Sequence, residues 1–142
     1  MLDELNGYDE ELAYEDFDFW VRSARNWKYA FQHEVLTKIR WVSNSYSTRL
    51  YKKVDWQLRS TIKICEKIVE LNQTEEEQNA LVERLKYEFR HAVITGNKEE
   101  ATEFYNMMKR FHLPNINYRL LRMINILGID FSPIRSIFVQ RN

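Results

Sequence analysis

Glycine, proline and cysteine are all scarce in this chain. Three glycines and two prolines in 142 residues are too few for an all-β fold, which needs turn residues every ~8–12 positions. An all-α architecture is the economical reading. The single cysteine, Cys65, rules out an internal disulfide and is compatible with a reducing compartment. No basic residue precedes Trp20, the opposite of the basic start of an ordinary signal peptide. No uncharged apolar run approaches the ~18 residues needed to cross a bilayer. The expectation is therefore a soluble, intracellular protein without a membrane partner.

What is present argues for a folded molecule. With 44% hydrophobic and 14% aromatic residues, the composition is too apolar for intrinsic disorder. A chain of this length makes one typical domain that buries roughly two thirds of its unfolded surface. The expected fold is all-α: a compact bundle of about six helices. An acidic N-terminal arm spans residues 1–16 and a single helical domain residues 17–142, its second half (74–142) rich in helical hairpins.

A net charge of zero conceals strong sorting. Residues 1–20 hold eight acids and no base, and residues 21–72 hold eleven bases against four acids. Residues 73–103 return to an acidic excess of four, and residues 104–142 to a basic excess of five. A patch of one sign focuses potential at short range even when the total vanishes.

Helical periods organise the chain. Asp16 and Asp18 are both suitable N-caps, after which Trp20, Ala24, Trp27, Phe31, Val35 and Val42 share one face at 100° per residue. A later set, Leu50, Val54, Leu58, Cys65 and Val69, is centred roughly 150° away on the same wheel. One straight helix cannot serve both, and unbroken it would run ~78 Å against a compact radius of gyration near ~15 Å. The short polar side chains over 43–48 predict the break. Thr74-Glu75-Glu76-Glu77 is a capping box, opening a helix that buries Leu81, Leu85, Phe89 and Ala92 and stops at Gly96. Asn97 starts the next, with Ala101, Phe104, Tyr105, Met108 and Phe111 as its stripe, ended by Pro114. Asn115 caps a further helix bearing Ile116, Leu120, Met123, Ile124 and Leu127, terminated by Gly128. Ser132 and Pro133 predict a last short helix through Phe138.

Gly96-Asn97-Lys98-Glu99-Glu100-Ala101, with Tyr105, Met108, Pro114, Tyr118 and Leu121, resembles one unit of a tetratricopeptide or pentatricopeptide helical hairpin. The resemblance covers about 35 residues and has no echo at a fixed period, whereas solenoids stack at least ~3 units. It is read as convergence on a common hairpin, and no base-reading role is carried over.

The leading candidate surface is basic. Arg49, Lys52, Lys53, Trp56, Arg59, Lys63 and Lys67 project within about 60° of the Trp56 direction, opposite the apolar stripe, in a band ~27 Å long. Cations of this kind displace counterions from a phosphate backbone, and an indole stacks on an unpaired base. The plain alternative is a solvated face whose aliphatic stems shield Trp56, with Asp55, Glu66 and Glu70 at its border. A second surface, for a larger protein partner, comprises Tyr14, Phe17, Phe19, Trp20 and Trp41, since aromatic anchors supply most energy per residue at interfaces. The acidic arm either packs on its own domain, binds a partner, or covers the basic band as a competing polyanion.

Catalysis has little to build on. Glu88 and His91 form one Glu-x-x-His pair, without the second copy that di-iron bundles require. The histidines and the lone cysteine show no zinc spacing, and isolated glycines give no phosphate loop. The expectation is a non-enzymatic accessory protein without metal or cofactor. It binds nucleic acid or a nucleic-acid-processing complex. The alternative is a protein–protein adaptor, inhibitor or assembly factor, and a homo-oligomer is left open.

Overall fold

The computed structural model describes residues 1–40, 55–112 and 115–128. Five α-helices follow a short 3-10 turn at Asp3–Leu5: α1 (Glu15–Ala24), α2 (Trp56–Leu71), α3 (Glu75–Ile94), α4 (Lys98–Arg110) and α5 (Ile116–Leu127). No strand occurs among the described residues. The fold is a compact all-α bundle, with five helices described where the sequence predicted about six. The predicted sixth, Ser132 to Phe138, and the predicted break at 43–48 lie outside the described residues.

The α3–α4 hairpin is the centre of the bundle, and its boundaries follow from local chemistry. Thr74 Oγ1 accepts the Glu77 amide at 3.2 Å while a Glu77 carboxylate oxygen accepts the Thr74 amide at 3.1 Å, so two orphan donors of the first turn are satisfied reciprocally. After α3, Gly96 takes a φ of 75°, a left-handed conformation that glycine adopts without steric cost. That reversal brings Leu85, Phe89 and Ala92 of α3 against Ala101, Phe104 and Met108 of α4, all fully enclosed. Burying a side chain the size of Phe89 or Phe104 contributes ~2–3 kcal/mol.

The remaining helices close this core. α2 begins at an Asp55 cap whose Oδ1 accepts the Gln57 amide at 2.9 Å, and it buries Leu58, Ile62, Ile64 and Cys65. α5 is capped by Asn115, which accepts from the Asn117 and Tyr118 amides, and it sets Tyr118, Leu121 and Ile124 on the core. α1 packs on α2.

Two sequence expectations need correction. The helix predicted from Asp16 or Asp18 through Val42 ends at Ala24, and residues 28–40 carry no helix. Its end has a local cause: the buried Ser23 hydroxyl donates to the Phe19 carbonyl at 2.6 Å and pairs with the Tyr29 hydroxyl, which folds the chain back on itself. Neither Asp16 nor Asp18 caps the helix, because α1 starts at Glu15 with Tyr14 at the cap. The second concerns α5, whose predicted apolar set splits. Ile124 faces the core, while Ile116, Leu120, Met123 and Leu127 face solvent.

Candidate interaction surfaces

The acidic arm is fastened to its own domain by charge and by packing. Lys67 on α2 donates to Asp9 and to the fully buried Asp18, each at 2.8 Å. Asp18 also accepts from Arg22 Nε at 2.7 Å, and the same guanidinium donates to the Leu5 and Gly7 carbonyls at 2.5 and 2.8 Å. The hydrogen bond from Lys67, against some desolvation, holds the Asp9 carboxyl below its ordinary value. Burial opposes the charge on Lys67, but the bonds to Asp18 and Asp9 outweigh it and raise its pKa. Leu12 is buried, Tyr8 packs on Phe19 with ring centroids 4.9 Å apart, and the Ala13 amide donates to Ser60 Oγ at 2.7 Å.

The basic band is thereby divided. Trp56 is 64% exposed at the first residue of α2, and the Arg59 guanidinium lies over its ring, 5.7 Å from the centroid. Arg59 Nε donates to the buried Glu100 at 2.8 Å, with the exposed Glu99 at 3.5 Å, and the bond to Glu100 raises the pKa of Arg59. Lys63 is exposed and near enough to Asp9 to help lower that carboxyl. Lys67 belongs to the arm network. Arg49, Lys52 and Lys53 lie outside the described residues.

The partner-binding set is likewise split. Trp20 is 52% exposed, Tyr14 and Phe17 are half-buried with their rings 5.2 Å apart, and Phe19 is buried against the arm. Phe17 lies under the Arg84 guanidinium at 4.6 Å. Phe19 therefore serves the fold, and Trp41 lies outside the described residues. The apolar surface that sequence reasoning missed follows α1. Phe31 is 83% and Val35 92% exposed, with Tyr29, Leu36 and Ile39 also in water. Their spacing places Phe31 and Val35 on one helical face with Trp20 and Trp27, and no pattern of spacing reports that the Ser23 turn would intervene.

Two concavities border these surfaces. An open, mainly apolar groove of about 330 Å³ runs between α1, the end of α2 and the start of α3, lined by Phe17, Val21, Ala24, Ile68, Leu71 and Leu81. Arg25 and Glu77 also line it and form a 2.7 Å ion pair, and Arg25 donates to the Leu71 carbonyl. A smaller polar pocket of about 230 Å³ includes Asp55, Thr61, Tyr87, Glu88 and His91. Within it Glu88 accepts an ion pair from Arg84 at 2.7 Å, with His91 Nδ1 3.8 Å away. Among the described residues no cluster of three or more histidine, cysteine or carboxylate side chains could hold a metal ion. The Cys65 thiol is buried, and desolvation pushes its pKa up to about 12, so it stays in the poorly nucleophilic thiol form. No described helix is long and apolar enough to cross a membrane. No known protein family, curated protein or solved structure matches the chain.

Proposed function

We propose that this protein acts by binding, as a protein–protein adaptor or assembly factor, and that Trp20 and the apolar segment from Trp27 to Ile39 dock on a larger protein. The observation that carries this reading is the exposure of Phe31 and Val35, at 83% and 92%, beside Tyr29, Leu36 and Ile39. Several large apolar side chains held in water within one short segment are suited to burial in an interface. The spacing Trp27, Phe31, Val35 is that of an amphipathic helix, so the segment is suited to ordering as a helix in a partner's apolar groove. Lys28, Lys38 and Arg40 against the single Glu34 favour a partner with an acidic rim.

The test is co-purification of a stoichiometric second polypeptide that survives about 0.5 M salt, where exposed charges beyond ~5 Å are screened. Replacing Trp20, Phe31 and Val35 by Ala should abolish it while the helical circular dichroism is kept. Retention of the partner by that variant, or absence of any such polypeptide, removes the reading.

A second reading keeps nucleic acid as the ligand, favoured by the exposure of Trp56 beneath Arg59 and beside Lys63. An indole in water is suited to stacking on an unpaired base. Arg59 and Lys67 already answer carboxylates, which weakens their pull on phosphate, and for that reason this reading stands second. It calls for binding of a single-stranded oligonucleotide that falls steeply with salt and is lost in Trp56→Ala and Lys63→Glu.

A further inference from the structure

The charge of α4 changes sign along its length. Glu99 and Glu100 lie 3.5 and 2.8 Å from the Arg59 guanidinium, and Glu103 acts on it as well, so the carboxylates of this helix answer α2. From Phe104 to Gly128 the sequence holds Lys109, Arg110, Arg119 and Arg122 and no acid. Among the described residues none of these four cations forms an ion pair, whereas Arg22, Arg25, Arg59, Lys67, Arg84 and Lys86 all do. The undescribed residues cannot neutralise them, because Asp130 is their only acidic side chain, against Arg49, Lys52, Lys53, Arg135 and Arg141.

Neutral neighbours hold these cations instead. Lys109 Nζ and Arg122 Cζ lie 5.8 and 5.7 Å from the centroid of one ring, that of Tyr105, which rests on Phe89 with centroids 5.6 Å apart. Arg122 also donates to Thr102 Oγ1 at 2.7 Å. A ring face and a hydroxyl orient a cation and leave its charge uncancelled. Arg119 stands three residues before Arg122, the spacing of neighbours on a helix surface, and both Arg119 and Lys109 are exposed. Helix electrostatics explain part of the set, since Lys109 and Arg110 occupy the last turn of α4, where cations are favoured. They do not explain Arg119, which stands in the first turn of α5, where a cation is disfavoured and no acid accompanies it.

Gathered cations without counter-charges are complementary to a polyanion, and the guanidinium fork matches a phosphate oxygen pair. The Tyr105 ring is taken up by Phe89, Lys109 and Arg122, so it has no free face on which an unpaired base could stack. That leaves contact with the backbone alone. Duplex nucleic acid presents one charge per ~1.7 Å of its axis, and release of its counterions supplies affinity without any base contact. We infer that Lys109, Arg119 and Arg122, across α4 and α5, form a docking strip for the phosphate backbone of duplex nucleic acid, indifferent to base sequence. The strip shares no residue with the two surfaces proposed above and stands or falls separately from them.

The test is fluorescence anisotropy of the full chain with a labelled DNA duplex of about 20 base pairs, two helical turns. Binding at about 50 mM salt should fall in the micromolar range, and log affinity against log salt should have a slope of about −3, as for three phosphate contacts. Lys109→Gln with Arg119→Gln should weaken binding at least about tenfold and lower the slope by about two, with circular dichroism unchanged because both side chains are exposed. Lys109→Arg with Arg119→Lys keeps the charge and should bind as the parent does. Trp56→Ala should leave duplex binding unchanged, since paired bases offer the indole no free face; loss in that variant would move the ligand to the Trp56 surface and overturn the inference. A parent that does not bind, a double glutamine variant that binds like the parent, or equally tight binding of poly-glutamate or of phosphatidylserine vesicles would overturn it too.

Discussion

Asp18 shows how much one buried carboxylate can organise. It has no exposure to solvent yet answers two cations, Lys67 and Arg22, which in turn hold Asp9 and the carbonyls of Leu5 and Gly7. Asp18→Asn keeps the shape and removes the charge. Since hydrogen bonds to a charged group contribute ~1.5–3 kcal/mol, it should destabilise by about 2 kcal/mol in urea unfolding and speed proteolysis within residues 1–12. Glu77 supplies a pH test. Its hydrogen bond from Arg25, together with the Gln73 and Thr74 amides, depresses its pKa from 4.5 to about 2. A depressed carboxylate pKa stabilises the fold above the unfolded value and loses that stabilisation as pH falls through the folded one. Stability should therefore decline between pH 4.5 and 2, and Glu77→Gln should flatten that part of the curve. Equal slopes for parent and variant in denaturation at several pH values in this window would refute the assignment.

At the scale of the element, each helix is as legible in the sequence as its end signals are local. α3 could be read from Thr74 to Gly96 because its capping box and its left-handed glycine act within a few residues, and its stripe of Leu81, Leu85, Phe89 and Ala92 is the core. Thr74→Ala should cost about 1 kcal/mol in thermal or urea unfolding, the usual worth of a lost N-cap. α1 was legible in its existence but not in its length. Periodicity cannot see that Ser23 bonds back to Phe19 and pairs with Tyr29, so it extends the helix to Phe31 and Val35, which lie beyond its end. α5 misled in a different way: apolar on both sides, it gave a wheel that could not say which stripe meets the core. The candidate site was half legible for a similar reason. Trp56 does face water, but the carboxylates that take up Arg59 and Lys67 come from Glu100, Asp9 and Asp18, 41 to 58 positions away. No helical wheel contains them.

For the molecule as a whole, the sorting of charge becomes a contact between the acidic start of the chain and the far end of the basic helix. Asp9 reaches Lys67, while Glu10 and Glu11 remain exposed beside it in sequence. These carboxylates oppose a polyanion that approaches Lys63, so under the nucleic-acid reading the arm lowers affinity by electrostatics alone. Deleting the arm would not isolate that effect, because Leu12 and the Tyr8–Phe19 pair belong to the packing, and losing a buried leucine alone costs ~2 kcal/mol. The variant Asp9→Asn, Glu10→Gln, Glu11→Gln removes three charges and leaves the apolar contacts. It should bind a single-stranded oligonucleotide severalfold more tightly at low salt. The gain should shrink towards nothing as salt rises, since exposed charges farther apart than ~8 Å are largely screened at physiological ionic strength. The plot of log affinity against log salt should accordingly steepen by about one phosphate contact. Fluorescence titration at three or more salt concentrations reads both quantities, and parallel lines for parent and variant would confine the arm to its structural role.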